Sequence, residues 1–581
     1  MNQLLRDITF KQLRKNTKQV NPEFPKIEIA LLGDSSTQFL KTAINGYAVE
    51  FDLNANIYEA DYDQIDQEVF NPSSDLYENS PEFVILYFSV EKLLHKFYKT
   101  DLSERKNFAK NQIEYYKNIC FNINDKLSTK VIFFNFPFIN DGIFGNYGAK
   151  NGDSFNFQLS KLNYELMEWA SFEGNLFLFD LNGLQNQVGT ANRVNPKFYY
   201  SSQLTLSIEV LPQVAKEIWD IIFSIKGTKL NKCLILDLDN TTWGGVIGDD
   251  GMEGIQIGDL GIGRIFTDLQ LWAKELKRRG IILCVCSKNT DHIAKEPFEK
   301  HPDMVLKLDD ISVFVANWEN KADNIRHIKE VLNIGFDSMV FIDDNPFERN
   351  LVRTEIPEVT VPELPKDSAE YLSFLRTLNL FETASVSKED SSRTQKYQEE
   401  AKRLNNKKSY KSIDDYLGSL DMVGEIAAFQ EFSIPRIAQL TQRSNQFNLR
   451  TIRYTEEDIK KITSNQEDFM TFQIKLEDKY GEYGLISLVI GEKKGTQLFL
   501  DTWIMSCRVL KRGVEKFVLN QIVEECKLQG IQEITGEWLE TKKNIIVKDH
   551  YKDLGFTFKG DFWRLNVSTF TPNKNYIALK S

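Results

Sequence analysis

The sequence predicts an α/β protein of three modules: a parallel α/β sandwich, a second parallel α/β domain, and a mixed α/β domain. Three observations carry this. Short apolar strands alternate with helical stretches up to about residue 225. The alternation restarts at Cys233 and closes near Pro365. Beyond a polar stretch at 384–412, longer strands surround one long helix. The predicted boundaries are 1–227, 228–366, a helical linker at 367–422, and 423–581.

In the first module an opening helix (about 3–16) precedes the strand Ile27–Leu32, which runs into Gly33-Asp34-Ser35-Ser36. Apolar strands follow at Phe83–Tyr87, Val131–Phe136 and Leu176–Leu181. Helices are expected at Ser103–Ile119, Phe155–Ala170 and Gln213–Ile225. The second module offers strands at Cys233–Leu236, Ile281–Val285, Met304–Lys307 and Ser338–Ile342, with helices at 265–279 and 321–333. The third reads strand, helix, then strands Phe472–Leu476, Gly484–Ile490 and Gln497–Ser506. A helix at 513–529 and strands Glu533–Trp538 and Thr557–Asn566 complete it.

The chain has 581 residues, 42% of them hydrophobic, enough for several full cores. A net charge of −12 argues against nucleic acid as a partner. The six cysteines fit no zinc motif and no secreted disulfide framework, so a reduced cytoplasmic setting is expected. No stretch approaches the ~18 apolar residues of a membrane span, and the N-terminus lacks the apolar core of a signal peptide.

Asp237 and Asp239 follow the strand Leu234-Ile235-Leu236, where ligand sites of parallel sheets lie. Two carboxylates in one pocket repel, and Mg²⁺, which prefers hard oxygen ligands, removes that cost. A lone pair of this kind would read equally well as loop solvation or helix capping. Here a second strand ends in Asp343-Asp344-Asn345, a third in Cys286-Ser287-Lys288, and Lys321 opens a helix. Together these are the parts of phosphoryl transfer. Asp237 is the candidate nucleophile and Asp239 the general acid/base. Asp343, Asp237 and the Asp239 carbonyl are the candidate metal ligands, with Asp344 in support. Ser287 and Lys321 are placed to bind phosphate oxygens.

These elements, in this order, resemble the four motifs of the haloacid-dehalogenase (HAD) superfamily. LDLDNTTWGGVIGDDG, CSKN, NWENKADNI, FIDDNPFER and, far downstream, TQRSNQFNLRTIRYT resemble the FkbH-like branch, subfamily IIIC. The resemblance covers at least residues 230–580. It implies Thr241, Ser287, Lys288, Lys321 and Asn345 as substrate-binding residues. It further implies that a glyceryl unit passes from 1,3-bisphosphoglycerate, a phosphorylated three-carbon acyl donor, to the phosphopantetheine thiol of an acyl carrier protein, with dephosphorylation. The intervals Asp237–Ser287 and Ser287–Lys321, 50 and 34 residues, leave no room for a large cap. An uncapped site suits a protein-borne substrate.

Cys286 directly precedes Ser287. A thiolate favoured by Lys288, Lys321 and the metal would make it the glyceryl-thioester site. The alternative is a small buried strand residue, the reading that also suits Cys284.

The GDSS turn resembles the nucleophile block of SGNH/GDSL hydrolases. Ser35 stands at the nucleophile, with Gly46 and Asn135 near the second and third blocks. The family's late-domain histidine is missing, since no histidine lies between 96 and 291. A hydrolase-like scaffold without triad chemistry is expected. The third module resembles the GNAT acyltransferases, whose glycine-rich loop holds a pyrophosphate on backbone N–H groups. Arg508 and Gly513 are the binding candidates there. Lys511 stands in place of the loop's first glycine, which puts acetyl-CoA chemistry in doubt. Two further readings stay open: a plain Mg²⁺-dependent phosphatase of a small phosphorylated metabolite, and a partner-binding protein with little turnover.

Overall fold

The computed structural model describes residues 8–580 apart from 20, 387–411, 445 and 542. The chain falls into two compact units that divide between Ile222 and Phe223. Most of the polar stretch expected at 384–412 lies outside the described residues.

The first unit holds a five-stranded sheet in the order β2-β1-β3-β4-β5. These are β1 (Lys26–Gly33), β2 (Asn54–Glu59), β3 (Phe83–Tyr87), β4 (Lys130–Phe134) and β5 (Leu176–Phe179). All neighbours run parallel. Strand order reverses at β1, so a crevice is expected outside the carboxyl ends of β1 and β3. Strands β3 and β4 are apolar and buried almost throughout, as both faces of a parallel sheet must be. Strand β2 escaped the sequence reading because it is an edge strand of mostly polar residues, with only Ile57 buried.

Helix α1 (Phe10–Asn16) opens with a capping box between Thr9 and Gln12. It packs on α2 (Gln38–Glu50) at Gly46, where a Cβ would stand 2.5 Å from the Leu13 carbonyl oxygen. Gly46 thus lies inside a helix as a packing contact. Helices α3 (Val90–Lys99), α4 (Phe108–Lys126) and α5 (Phe155–Ala170) follow. The helix expected at 213–225 is α6 (Leu211–Lys226).

The second unit contains two sheets. The first is parallel, in the order β8-β7-β6-β9, from β6 (Cys233–Leu236), β7 (Ile282–Ser287), β8 (Val313–Ala316) and β9 (Met339–Ile342). Helix α7 (Gly263–Arg278) joins β6 to β7, and α8 (Lys321–Leu332) joins β8 to β9. The strand expected at 304–307 is not one. Met304 and Leu306 are buried, but the Val305 and Leu306 N–H groups donate to the Gln270 side chain, and the fourth strand is Val313–Ala316. Order reverses between β6 and β9, which sets Asp237 beside Asp343.

The second sheet is mixed and has eight strands, β15-β16-β14-β13-β12-β11-β10-β17. Its strands are β10 (Met422–Ala427), β11 (Phe469–Asp478), β12 (Gly481–Lys494), β13 (Gln497–Met505), β14 (Glu533–Gly536), β15 (Thr557–Lys559), β16 (Phe562–Asn566) and β17 (Ile577–Leu579). Apolar clusters cover both faces, one of them built on the helix α9 (Val514–Leu528). The segment 557–566, expected as one strand, is a hairpin that turns at Gly560, whose φ is +64°.

Candidate active site

Residues just beyond the carboxyl ends of the four-stranded sheet build one acidic cluster. Asp237 leaves β6 with its N–H donating to the Ile342 carbonyl of β9 at 3.0 Å. Asp343 leaves β9 fully buried. Lys321, at the first position of α8, reaches both. Its Nζ lies 2.8 Å from Asp237 Oδ1 and 2.5 Å from Asp343 Oδ2. The lysine is fixed by its cap, since Asn320 Oδ1 accepts from the Ala322 N–H at 2.7 Å.

Asp344 completes the cluster. One oxygen each of Asp237, Asp343 and Asp344 lies within 4.8 Å of the others, the one such group of possible metal ligands among the described residues. Burial pushes the Asp237 carboxyl up to about 6, against the pull of the Lys321 ammonium. Burial also raises Asp343, and it raises Asp344 together with the Asp237 charge. Burial would lower Lys321, but the two carboxylates hold it above its ordinary range. Three carboxylates face one ammonium, so an ionised site keeps two unbalanced negative charges. Hard oxygen donors around that imbalance fit a small divalent cation.

Asp239 lies apart from the carboxylate cluster, and its side chain is held on three sides. Trp243 Nε1 and the Ile247 N–H donate to Oδ1 at 2.9 and 3.0 Å, and Asn289 Nδ2 donates to Oδ2 at 2.8 Å. Asn289 also reaches Ser287 Oγ at 3.3 Å. This frame fixes the Asp239 carboxyl outside the Asp237–Asp343–Asp344 cluster.

Several substrate-binding candidates support the site's own groups. The Thr241 hydroxyl is buried and accepts from the Asp344 N–H at 3.0 Å. The Asn345 N–H donates to Asp343 Oδ1 at 2.8 Å, while its side chain caps α10 (Pro346–Glu355). Lys288 pairs with Glu348 at 2.6 Å, which neutralises it. Asn289, Trp243 and Arg349 were not singled out from the sequence. Arg349 donates to the Asp343 and Asp344 carbonyls at 2.8 and 2.6 Å and so braces the acidic turn. For Asn289 and Arg349 the signal was present in CSKN and FIDDNPFER, as polar residues beyond a strand end.

Cys286 lies in the apolar cluster with Cys233, Cys284, Ile325 and Phe341, and its side chain is fully buried. Its Sγ faces the Lys321 carbonyl at 3.7 Å. Burial pushes the thiol up, and the Lys321 charge only partly opposes this. The two lysines expected to favour the thiolate do not offset this burial. Lys288 is already paired, and desolvation outweighs Lys321.

In the first unit, Ser35 is buried and its Oγ shares a hydrogen bond with Thr205 Oγ1 at 3.0 Å. Thr205 in turn meets the Tyr87 hydroxyl at 2.7 Å. Among the described residues no histidine or carboxylate bonds Ser35, so the triad chemistry has no base. Asn135 donates to Asp180 at 2.6 Å and accepts from the Asn182 N–H at 2.9 Å, tying two strand ends together.

In the third module, Gly513 caps α9 with φ +77° and Arg508 donates from Nε to Ser506 Oγ at 3.2 Å. Lys511 adopts φ +64°, so the left-handed turn survives without its glycine. Arg512 points inward, to the Tyr483 hydroxyl at 2.6 Å.

Residues 28–223 match the FkbH N-terminal domain family. The chain is similar to a crystal structure of the N-terminal part of BF1531 from Bacteroides fragilis, containing a phosphatase domain complexed with Mg. The identity is 50% over 65% of this chain and 100% of that one, with a TM-score of 0.63. A weaker likeness is to the ribosomal-protein-S18-alanine N-acetyltransferase of Escherichia coli, at 17% identity over 26% of this chain and 99% of that one, with a TM-score of 0.21. No curated protein matches the chain.

Proposed function

Because the chain belongs to the family of the phosphatase-domain protein BF1531 and carries an FkbH N-terminal domain, we propose that it is a Mg²⁺-dependent phosphoryl-handling enzyme with Asp237 as its nucleophile. The observation that carries this is the Lys321 bridge between Asp237 and Asp343, with Asp344 in the same oxygen cluster. Asp237, Asp343, Asp344 and the Asp239 carbonyl would hold the cation, which when bound offsets the charge of the phosphoryl oxygens.

The chain's own residues supply the rest. An Asp237 carboxylate oxygen attacks phosphorus, and the bond to the leaving oxygen breaks while Asp239 gives that oxygen a proton. Asp239 then takes a proton from water as the water oxygen attacks the aspartyl phosphate, and phosphate departs. Asn289 and Trp243 hold Asp239 in line for both transfers. Ser287 and Lys321 bind the phosphoryl oxygens.

The finer reading is glyceryl transfer from 1,3-bisphosphoglycerate to the thiol of an acyl carrier protein. Motif resemblance and the short intervals around Ser287 support it. A thioester on Cys286 would require that thiol to leave the core, so the buried position weighs against Cys286 as the acyl carrier within the chain. A plain phosphatase acting on a small metabolite remains the second reading. It rests on the same pocket and needs no carrier.

Two assays decide. Phosphate release from acetyl phosphate should need Mg²⁺ and vanish in Asp237→Asn. Release that persists in this variant, or that is absent in the wild type, removes the enzymatic reading and leaves a partner-binding protein. Intact-mass measurement of a holo carrier protein after incubation with 1,3-bisphosphoglycerate separates transferase from phosphatase, since only the first adds a glyceryl mass.

A further inference from the structure

The first unit has a cavity of about 430 Å³ that the phosphoryl chemistry does not use. It lies where the order of the five-stranded sheet reverses, beside Asp34 after β1 and Ser89 after β3. Crevices at such reversals are where open α/β sheets take ligands. Ser35 is not among its lining residues.

Three buried polar groups line it. The Asp34 carboxyl is 8% exposed, and both its oxygens accept from the Ser89 N–H, at 2.9 and 3.0 Å. Gln112 is 5% exposed and its Oε1 has no partner. Tyr116 is 2% exposed, and its hydroxyl bonds to nothing among the described residues. Gln112 and Tyr116 are one turn apart on α4, so they share a face. A buried polar atom without a partner is destabilising. Gln112 Oε1 is such an atom, and with the Tyr116 hydroxyl and the Asp34 carboxyl beside it, it marks a place where a ligand completes the bonding.

The exposed side carries three lysines and two aspartates. Lys92, Lys96 and Lys99 lie on one face of α3 and line the cavity. Lys92 is paired with Asp63 at 2.9 Å, and Asp66 accepts from the Tyr115 hydroxyl at 2.7 Å. Lys96 and Lys99 have no carboxylate within ion-pair distance among the described residues. Lysines in a last helical turn complement the helix dipole, which accounts for their type but not for the unpartnered groups on α4.

We propose that this cavity binds a small hydroxylated anion, with its hydroxyls on Asp34, Gln112 and Tyr116 and its acid group toward Lys96 and Lys99. Acceptors at the floor call for hydroxyl donors. Two ammoniums at the mouth without a carboxylate partner, Lys96 over the Tyr115 ring at 4.8 Å and Lys99, call for a phosphate or carboxylate. The volume is that of a small-molecule site.

Isothermal titration of the full chain in EDTA with glycerol 3-phosphate tests this, with glycerol and inorganic phosphate as separate arms. One site per chain is expected, with both fragments binding more weakly than the whole. Gln112→Leu and the Lys96→Met/Lys99→Met double variant should each weaken binding at least about tenfold. Asp237→Asn should leave it unchanged, which separates this site from the phosphoryl pocket. The surface lysine pair keeps the test sound if Gln112→Leu misfolds. Equal binding in the lysine variant, loss in Asp237→Asn, no binding at all, or inorganic phosphate matching the whole probe would each overturn the proposal.

Discussion

Asn289 gives one amide to two partners, Asp239 Oδ2 at 2.8 Å and Ser287 Oγ at 3.3 Å. It thereby links the proposed acid/base to a proposed phosphate ligand. Asn289→Ala should lower kcat for acetyl phosphate by roughly ten- to a hundredfold, within the range of misplaced acid–base groups, and leave KM little changed. A change confined to KM would show that Asn289 contacts substrate and does not orient Asp239.

Lys321 bridges two buried carboxylates at once. Lys321→Met should reduce turnover by about 10²–10³. Breaking such a buried pair costs about 3–5 kcal/mol, so its Tm should fall without metal. Because the carboxylate cluster then carries the whole charge, added Mg²⁺ should raise the Tm of this variant more than that of the wild type. Thermal melts with and without Mg²⁺ measure both.

Cys286→Ala should keep phosphate release near the wild-type rate, at a stability cost of about 1–2 kcal/mol for the small void in the core. A glyceryl mass on the wild-type chain that Cys286→Ala loses would reverse this reading and return the residue to the chemistry.

Gly46 touches the Leu13 backbone too closely for any side chain. Gly46→Ala should displace α1 at a cost of about 1–3 kcal/mol. Faster proteolysis of the first residues, with unaltered phosphate release, is the expected pair of results.

His550 is buried between Phe447 and Trp503, and burial holds it at about 3. The unfolded imidazole takes its proton near 6.5. The folded form refuses that proton, so stability is whole above 6.5 and falls progressively as the pH drops toward 3. The melting temperature of His550→Phe should depend less on pH between 7.5 and 4.5 than that of the wild type. Parallel curves would show that other groups govern the acid response.

Much of the phosphoryl pocket was legible because its residues sit at the ends of apolar strands. Asp237, Asp239, Asp343 and Lys321 are each announced by a strand or a helix start. What the sequence hid was partnership. Lys288 looks free until Glu348 comes within 2.6 Å, and Cys286 looks reactive until α8 closes over it. Strand β2 was hidden because an edge strand needs few apolar residues. Residues 304–307 misled because they are apolar for burial and bond to a side chain instead of a strand. Lys511 stands where the loop's first glycine is expected, and its backbone adopts φ +64°.

The cap at Asn320 has a consequence for how the family can drift. Lys321 reaches its carboxylates from the first position of α8, so its aim is set by one side-chain bond to the Ala322 N–H and not by the turns that follow. Substitutions on the solvent side of 326–330 should therefore accumulate freely between species. An insertion of a single residue between Ala316 and Asn320 can be absorbed in the loop. The same insertion between Asn320 and Lys321 would rotate the lysine by about 100° around the helix axis and silence the site in one step.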